Sequence, residues 1–390
     1  MAQTAMSRLF RQNTTSPVRQ CILGQAQARR YASNSAIPSF TSTPSPELNE
    51  ALDRFRNELF IPLGLPKRQR KSILRPKYAQ QLQHDPITVQ ISETEEYTLT
   101  PKNRHELPSK REAISVLNIM IATKDFSNLF PFLSGLKLSN YVINNDRWEY
   151  IIRKVGEAGK LSAIIDCARQ YKRTGLSLAD TGIARRLFFE LHQTAMRADF
   201  KGDETFKALK LAQDAATLMD SPEHSVRNAQ VDPKYQPFVI GTLLELSAAC
   251  ALEKNGAEEV DAVRGYAEKL DAAWSRGDYK KADTSREAQL RLEENLAVYN
   301  GMRLSRAVYK DARMTQTFMA RGEEMKPVLV AHLKNIKNSQ VLGDKVSARL
   351  LSAAANKAAA NKAAAKKGAE EKAAEEKAAE EKAAEEKVEA

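Results

Sequence analysis

The chain has 390 residues, 42% hydrophobic and 28% charged, with a formal net charge of +11, which is enough apolar content for a sizeable core. No run approaches the ~18 apolar residues of a membrane-spanning helix, and the three cysteines form no CxxC. Transmembrane proteins and disulfide scaffolds are thereby excluded.

In chain order, the first 46 residues hold no Asp or Glu but carry Arg8, Arg11, Arg19, Arg29 and Arg30 among many Ser, Thr, Ala and Gln. An Arg-rich, Ser-rich, acid-poor start is the composition of a mitochondrial transit peptide, which the negative-inside potential draws into the matrix. ARRYASNSA marks a cleavage site, with Arg29 at the third position before a cut after Tyr31, so residues 1–31 are expected to be removed in the mitochondrial matrix. Cys21 goes with that leader, and Cys167 and Cys250 read as small core residues. Residues 32–46, containing PSFTSTPSP, are expected to be a disordered linker.

Residues 47–80 combine an amphipathic helix with a basic arm. Leu48, Leu52, Phe55 and Leu59 form one apolar stripe over 47–60. Pro62, Gly64 and Pro66 are expected to break it. LPKRQRKSILRPKY follows, with Lys67, Arg68, Arg70, Lys71, Arg75 and Lys77 and no acid. Without the five leader arginines the net charge falls to +6, and these six cations alone equal it, so the positive charge is local. Between Pro66 and Pro76 the expected form is extended or a single turn. Such an arm follows a phosphate backbone by releasing counterions, and its arginines also fork onto phosphate oxygens or stack on bases. No apolar face accompanies it, which argues against a lipid surface.

From 86 to 101, Ile87, Val89 and Ile91 alternate with polar residues, and Tyr97 and Leu99 follow, which predicts a β-hairpin. Residues 108–343 read as an α-helical body. Ser109 and Glu112 have capping-box spacing. Further helices are expected near 126–138, 146–158, 160–174, 178–199, 203–219, 236–254, 258–276, 285–311 and 314–338, separated by breaks rich in Gly, Pro, Asn or Asp. Residues 344–390 form an Ala/Glu/Lys-rich tail. From 357 it carries eight Lys and nine Glu, and with no Leu, Ile or Val between Ser352 and Val388 it has no coiled-coil seam. The fold class is therefore all-α, an irregular helical bundle or stacked helical hairpins with one short β-hairpin and a low-complexity C-terminal helix or tail.

No catalytic constellation emerges. His84, His105, His192, His224 and His332 lack metal-ligand spacing, and GEAGKL has Lys154 where a phosphate loop needs Gly. The pairs Glu95-Glu96, Glu258-Glu259 and Glu293-Glu294 lie in polar stretches that read as solvated. The expectation is no catalytic residue, no metal, no cofactor, no small-molecule substrate and no enzyme.

DRWEYIIRKVGEAGKLSAIIDCARQYKRTGLSLAD, residues 146–180, resembles a pentatricopeptide-repeat unit, with an aromatic-rich first helix, Gly159-Lys160-Leu161 at the turn and Gly175 after the second helix. No second copy of comparable quality lies at a 35-residue offset, whereas a working solenoid needs ~3 or more repeats. Over its whole length the chain resembles the accessory proteins of fungal mitochondrial ribosomes, which combine an Arg leader, a basic arm and a helical body. That resemblance implies a structural ribosomal protein whose partners are mitochondrial rRNA, through Lys67, Arg68, Arg70, Lys71, Arg75 and Lys77, and other mitochondrial ribosomal proteins. It implies that the 47–60 helix, the hairpin and the helical body face protein neighbours, and the large subunit is preferred over the small. One alternative is a pentatricopeptide-like matrix RNA-binding factor in mRNA maturation or translation. Another is an assembly factor or non-catalytic subunit of a respiratory complex.

Overall fold

A computed structural model describes residues 37–336 except 92–94, 104, 255–256 and 309–310. The expected leader, with its Arg29/Tyr31 cleavage site, and the tail from 344 lie outside the described residues. The all-α expectation holds for the described chain: helices dominate, with one two-stranded antiparallel hairpin. Two compact units divide it, one formed by residues up to 194 with 210–234, the other by 195–209 with residues from 235 onward.

The first unit opens with a segment that composition reads as a linker but that is fastened down from residue 37. Thr41 N–H donates to Asn128 Oδ1 at 2.9 Å, and Asn128 Nδ2 returns a bond to Thr41 O at 2.8 Å. The Asn128 amide thus acts as a single β-bridge, which Pro/Ser/Thr composition does not reveal. Helix α1 (Pro46–Phe55) is capped by Ser45, whose Oγ accepts from Leu48 N–H at 3.3 Å. Its apolar stripe is not left for a neighbouring protein. Leu48, Leu52 and Phe55 are buried, and Phe55 meets Phe132 edge-on at 5.3 Å between centroids. Gly135 sits under the Phe60 ring, where an added Cβ would lie 2.5 Å from Phe60.

The chain does not break at Pro62. It widens into a π turn (Arg56–Phe60) and continues as α2 (Ile61–Gly64). In that wider ladder, residue 62 would donate to Asn57 O, and proline has no N–H to give. The Tyr97 hydroxyl supplies the missing donor at 3.0 Å. Then follow α3 (Lys67–Leu74), a 3-10 turn (Pro76–Tyr78), α4 (Ala79–His84), and the hairpin of β1 (Thr88–Gln90) and β2 (Glu96–Thr98), in which Val89 pairs with Tyr97. Arg56 clamps the hairpin by forking onto the Glu95 carboxylate, which this guanidinium holds below its usual range.

Helices α5 (Lys110–Thr123), α6 (Leu129–Leu138), α7 (Asn145–Glu157), α8 (Leu161–Arg169) and α9 (Tyr171–Thr174) continue this unit. The predicted capping box is present, with Ser109 and Glu112 bonding each other's backbone N–H. The pentatricopeptide-like segment is a helical hairpin, α7 packed on α8 around Gly159 at φ +70°. Its second helix departs from an unbroken 160–174 run: it stops at Gln170 and restarts as α9. His224 bridges this region, accepting from Leu178 N–H at 3.1 Å through Nδ1 and contacting Ala168 O at 3.0 Å through Nε2. Helices α10 (Thr181–Arg197) and α11 (Gly202–Leu218) lie across the residue boundaries that separate the units.

The second unit is built on α12 (Pro237–Lys254), buried on nearly every side, as a helix apolar all round must be. Helices α13 (Ala257–Ala273) and α14 (Ser285–Val308) pack on it, and α15 (Ala312–Asn335) packs on α14. Gly241 and Gly301 let the α12 and α14 backbones meet, since a Cβ on Gly301 would sit 2.8 Å from Gly241 O. Glu293 corrects the solvated-pair expectation. It is 3% exposed on α14 and accepts from Gln289 Nε2 at 3.1 Å, because its place on the helix faces inward while its neighbour does not.

Candidate nucleic-acid interface

The basic segment is a helix, which corrects the extended arm expected from its flanking prolines. Pro66 stands just before the helix, where a missing N–H costs nothing, and Lys, Arg, Gln and Leu are good helix formers. The end is set by Pro76, which pushes Arg75 out of the helical region to φ −106° and ψ 122°. Two turns of helix fit between the prolines.

What holds this helix is its apolar side. Ile73 is 1% exposed and clusters with Ile61, Leu65, Leu82 and Leu99, with Leu74, Val89 and Tyr97 around them. The hairpin is therefore the support of the basic helix. On the other side, Lys67, Arg68 and Lys71 are exposed and fall within an arc of about 100° at 3.6 residues per turn. Arg75 and Lys77 continue the exposed surface past the helix end, with Lys77 Nζ 4.7 Å from the centre of the Tyr78 ring. Arg70 is half-buried and reaches back to Leu63 O at 3.4 Å, so it is partly engaged within the fold. Among the described residues none of the six makes an ion pair. Uncompensated cations beside the positive end of a helix repel each other and its dipole, and a polyanion relieves that repulsion. Lys102 is an addition that local sequence does not signal: its N–H donates to Ile73 O at 3.0 Å, placing it beside the platform from 29 residues away.

Among the described residues no three His, Cys, Asp or Glu gather as a metal site, and none of the described helices is long and apolar enough to cross a membrane. Cys167 is buried, its thiol pushed up to about 12 by burial.

A family model for mitochondrial ribosomal protein mS27 matches residues 24–387. The chain belongs to that family. Over 261 residues it is 30% identical to the small ribosomal subunit protein mS27 of Neurospora crassa, an alignment covering 61% of this chain and 65% of that relative, just under two thirds of the relative's length. The ribosomal resemblance read from the sequence agrees with the mS27 assignment, and the pentatricopeptide-like regulator is not favoured. The large-subunit preference is corrected, since the matching relative is a small-subunit protein.

Proposed function

We propose that this mS27-family chain is a non-catalytic structural component of the small subunit of the mitochondrial ribosome, working in the matrix after loss of residues 1–31. Its helical body meets neighbouring ribosomal proteins. Its contact with rRNA runs through Lys67, Arg68, Arg70, Lys71, Arg75 and Lys77, joined by Lys102. The observation that carries this reading is a short helix fixed by Ile73 to a hairpin, whose outward cations make no ion pair among the described residues. A rigid row of that kind matches the backbone of folded RNA by shape and charge, without base-by-base reading.

The test is sedimentation of a mitochondrial lysate with magnesium and again with EDTA to separate the subunits, comparing wild type with the combined change of Lys67, Arg68, Arg70 and Lys71 to Ser. Wild type is expected in the small-subunit peak under both conditions. The variant is expected to leave the particle at lower salt, with the slope of log affinity against log salt shallower by up to about 3 for four lost phosphate contacts. Salt-stable association of the variant removes the tether role. A chain that stays at the top of the gradient removes the ribosomal placement.

A further inference from the structure

Tyr78 stands where the basic segment ends, and it differs from other tyrosines of the same unit. The Tyr97 hydroxyl donates to Asn57 O at 3.0 Å and the Tyr141 hydroxyl to Pro108 O at 2.6 Å. The Tyr78 hydroxyl has no hydrogen-bond partner among the described residues. Leu74 and Tyr97 pack on the Ile73 cluster, and Tyr78 is not one of the half-buried residues that do so. Its ring is half-buried, with Lys77 Nζ 4.7 Å from its centre. The backbone beneath the ring is nonetheless fixed. Tyr78 N–H donates to Arg75 O at 3.0 Å across the turn that Pro76 opens, and α4 starts at the next residue, anchored by the buried Leu82. The sequence holds no acid between Glu58 and Asp85, so the charges that this stretch brings to the ring are positive.

An aromatic ring mounted on a fixed turn among uncompensated cations is complementary to a nucleotide with an exposed base, which offers a π face to the ring and phosphates to the cations. We propose that Tyr78 stacks on an unpaired base of the RNA that the platform holds, with Arg75 and Lys77 taking the adjoining phosphates. The inference rests on the RNA reading above and adds the class of nucleotide that the site takes. Inside an A-form helix each base is already stacked on its neighbours, so a tyrosine ring reaches one at a loop, a bulge or a helix end. The platform therefore sits where an rRNA helix is interrupted. Lys77 does not block the ring. An exposed cation–π contact is weak, and a long lysine side chain exchanges it for a phosphate at little cost. A polypeptide fits less well, because it can stack a side chain on the ring but does not repeat negative charge along its backbone as RNA does.

The experiment irradiates particles from the small-subunit peak with ultraviolet light, digests them with nuclease and protease, and locates nucleotide adducts on the chain by mass spectrometry. In parallel, the purified chain is rebound to salt-washed particles over a range of salt, as wild type, Tyr78→Phe and Tyr78→Leu. The expected adduct is on Tyr78, and it maps to an unpaired nucleotide of the rRNA. Tyr78→Leu is expected to lower affinity about tenfold at every salt concentration. Its salt slope should match wild type, because stacking releases no counterions. Tyr78→Phe keeps the ring and should bind as wild type does. The adduct is read on the wild-type chain, so a folding defect in Tyr78→Leu does not hide the answer. An adduct within a paired helix, a crosslink from Tyr78 to protein, or no adduct on Tyr78 overturns the stacking site alone. So does a Tyr78→Leu variant that binds like wild type or with a shallower slope, or a Tyr78→Phe variant as weak as Tyr78→Leu. Particles in which residues 67–78 carry no nucleotide adduct, and from which the four-site basic variant dissociates with the wild-type salt slope, overturn the RNA reading and this inference with it.

Discussion

His224 shows how one side chain ties distant backbone together and what that costs in acid. It is 2% exposed, and its Nδ1 accepts a bond from Leu178 N–H, so the ring proton sits on Nε2, facing Ala168 O. Burial pushes its pKa below the ordinary imidazole value, a pull only partly opposed by the Ala168 carbonyl and the neighbouring Glu223. The unfolded chain therefore takes up a proton near pH 6.5 that the folded chain refuses. This contribution to stability is complete above that pH and is lost as pH falls toward the depressed folded value. His332 follows the same sign, its pKa lowered first by burial and next by the nearby Arg291 guanidinium. Thermal melts at pH 8, 6.5 and 5 are expected to show a falling Tm for the wild type. His224→Ala is expected to melt lower at pH 8, by about 2–4 kcal/mol for two orphaned backbone groups, and to show a flatter pH dependence. A slope unchanged in His224→Ala assigns the acid sensitivity elsewhere.

At the scale of elements, the glycines at close crossings set how near two helices come. Gly301 on α14 faces Gly241 O and Glu245 N of α12, backbone atoms that cannot turn aside as a side chain does. Gly301→Ala is expected to cost about 1–3 kcal/mol by overpacking, read as a lowered urea midpoint at constant m value. Gly265, with no atom within 4 Å of an added Cβ, is the control. There Ala is expected to stabilise α13 by up to about 1 kcal/mol through helix propensity. Elements were also where the sequence spoke most clearly. Helix positions followed from apolar spacing of three and four because that period is local, and α5, α7 and α12 begin within a residue or two of where their patterns do. Proline misled in both places where its effect depended on something remote. At Pro62 the lost donor is replaced by Tyr97, and at Pro66 the following helix is held by Ile73 against a hairpin more than ten residues away. The α1 stripe was read correctly as apolar, but its cover, Phe132 of α6, belongs to this same chain. Periodicity says that a face is buried and not by what. The six cations of the platform were legible as a cluster because they are contiguous, whereas Lys102 depends on a tertiary contact that no local pattern contains.

For the whole molecule, the distribution of charge is the basis for assigning the proposed RNA contact to residues 67–77 and not to the tail. Residues 67–77 carry six cations with no acid, while the chain from 357 onward carries eight Lys against nine Glu. Counterion release depends on unbalanced positive charge, so a nearly neutral repeat contributes little to binding a polyanion however many lysines it holds. The Ala/Glu/Lys repeat likewise offers no apolar seam for a helical partner. Yet the family match runs to residue 387, through most of that repeat, which makes its removal informative. Deletion of residues 353–390 is expected to leave both particle association and its salt slope unchanged in salt-washed gradients. The four-site basic variant is expected to move both. If the deletion weakens association while the slope stays the same, the tail makes uncharged contacts with protein and the tether role of the platform stands. If the slope falls with the tail, the lysines of the repeat, and not the 67–77 helix, neutralise the phosphates, and the assignment of RNA contact to the platform is wrong.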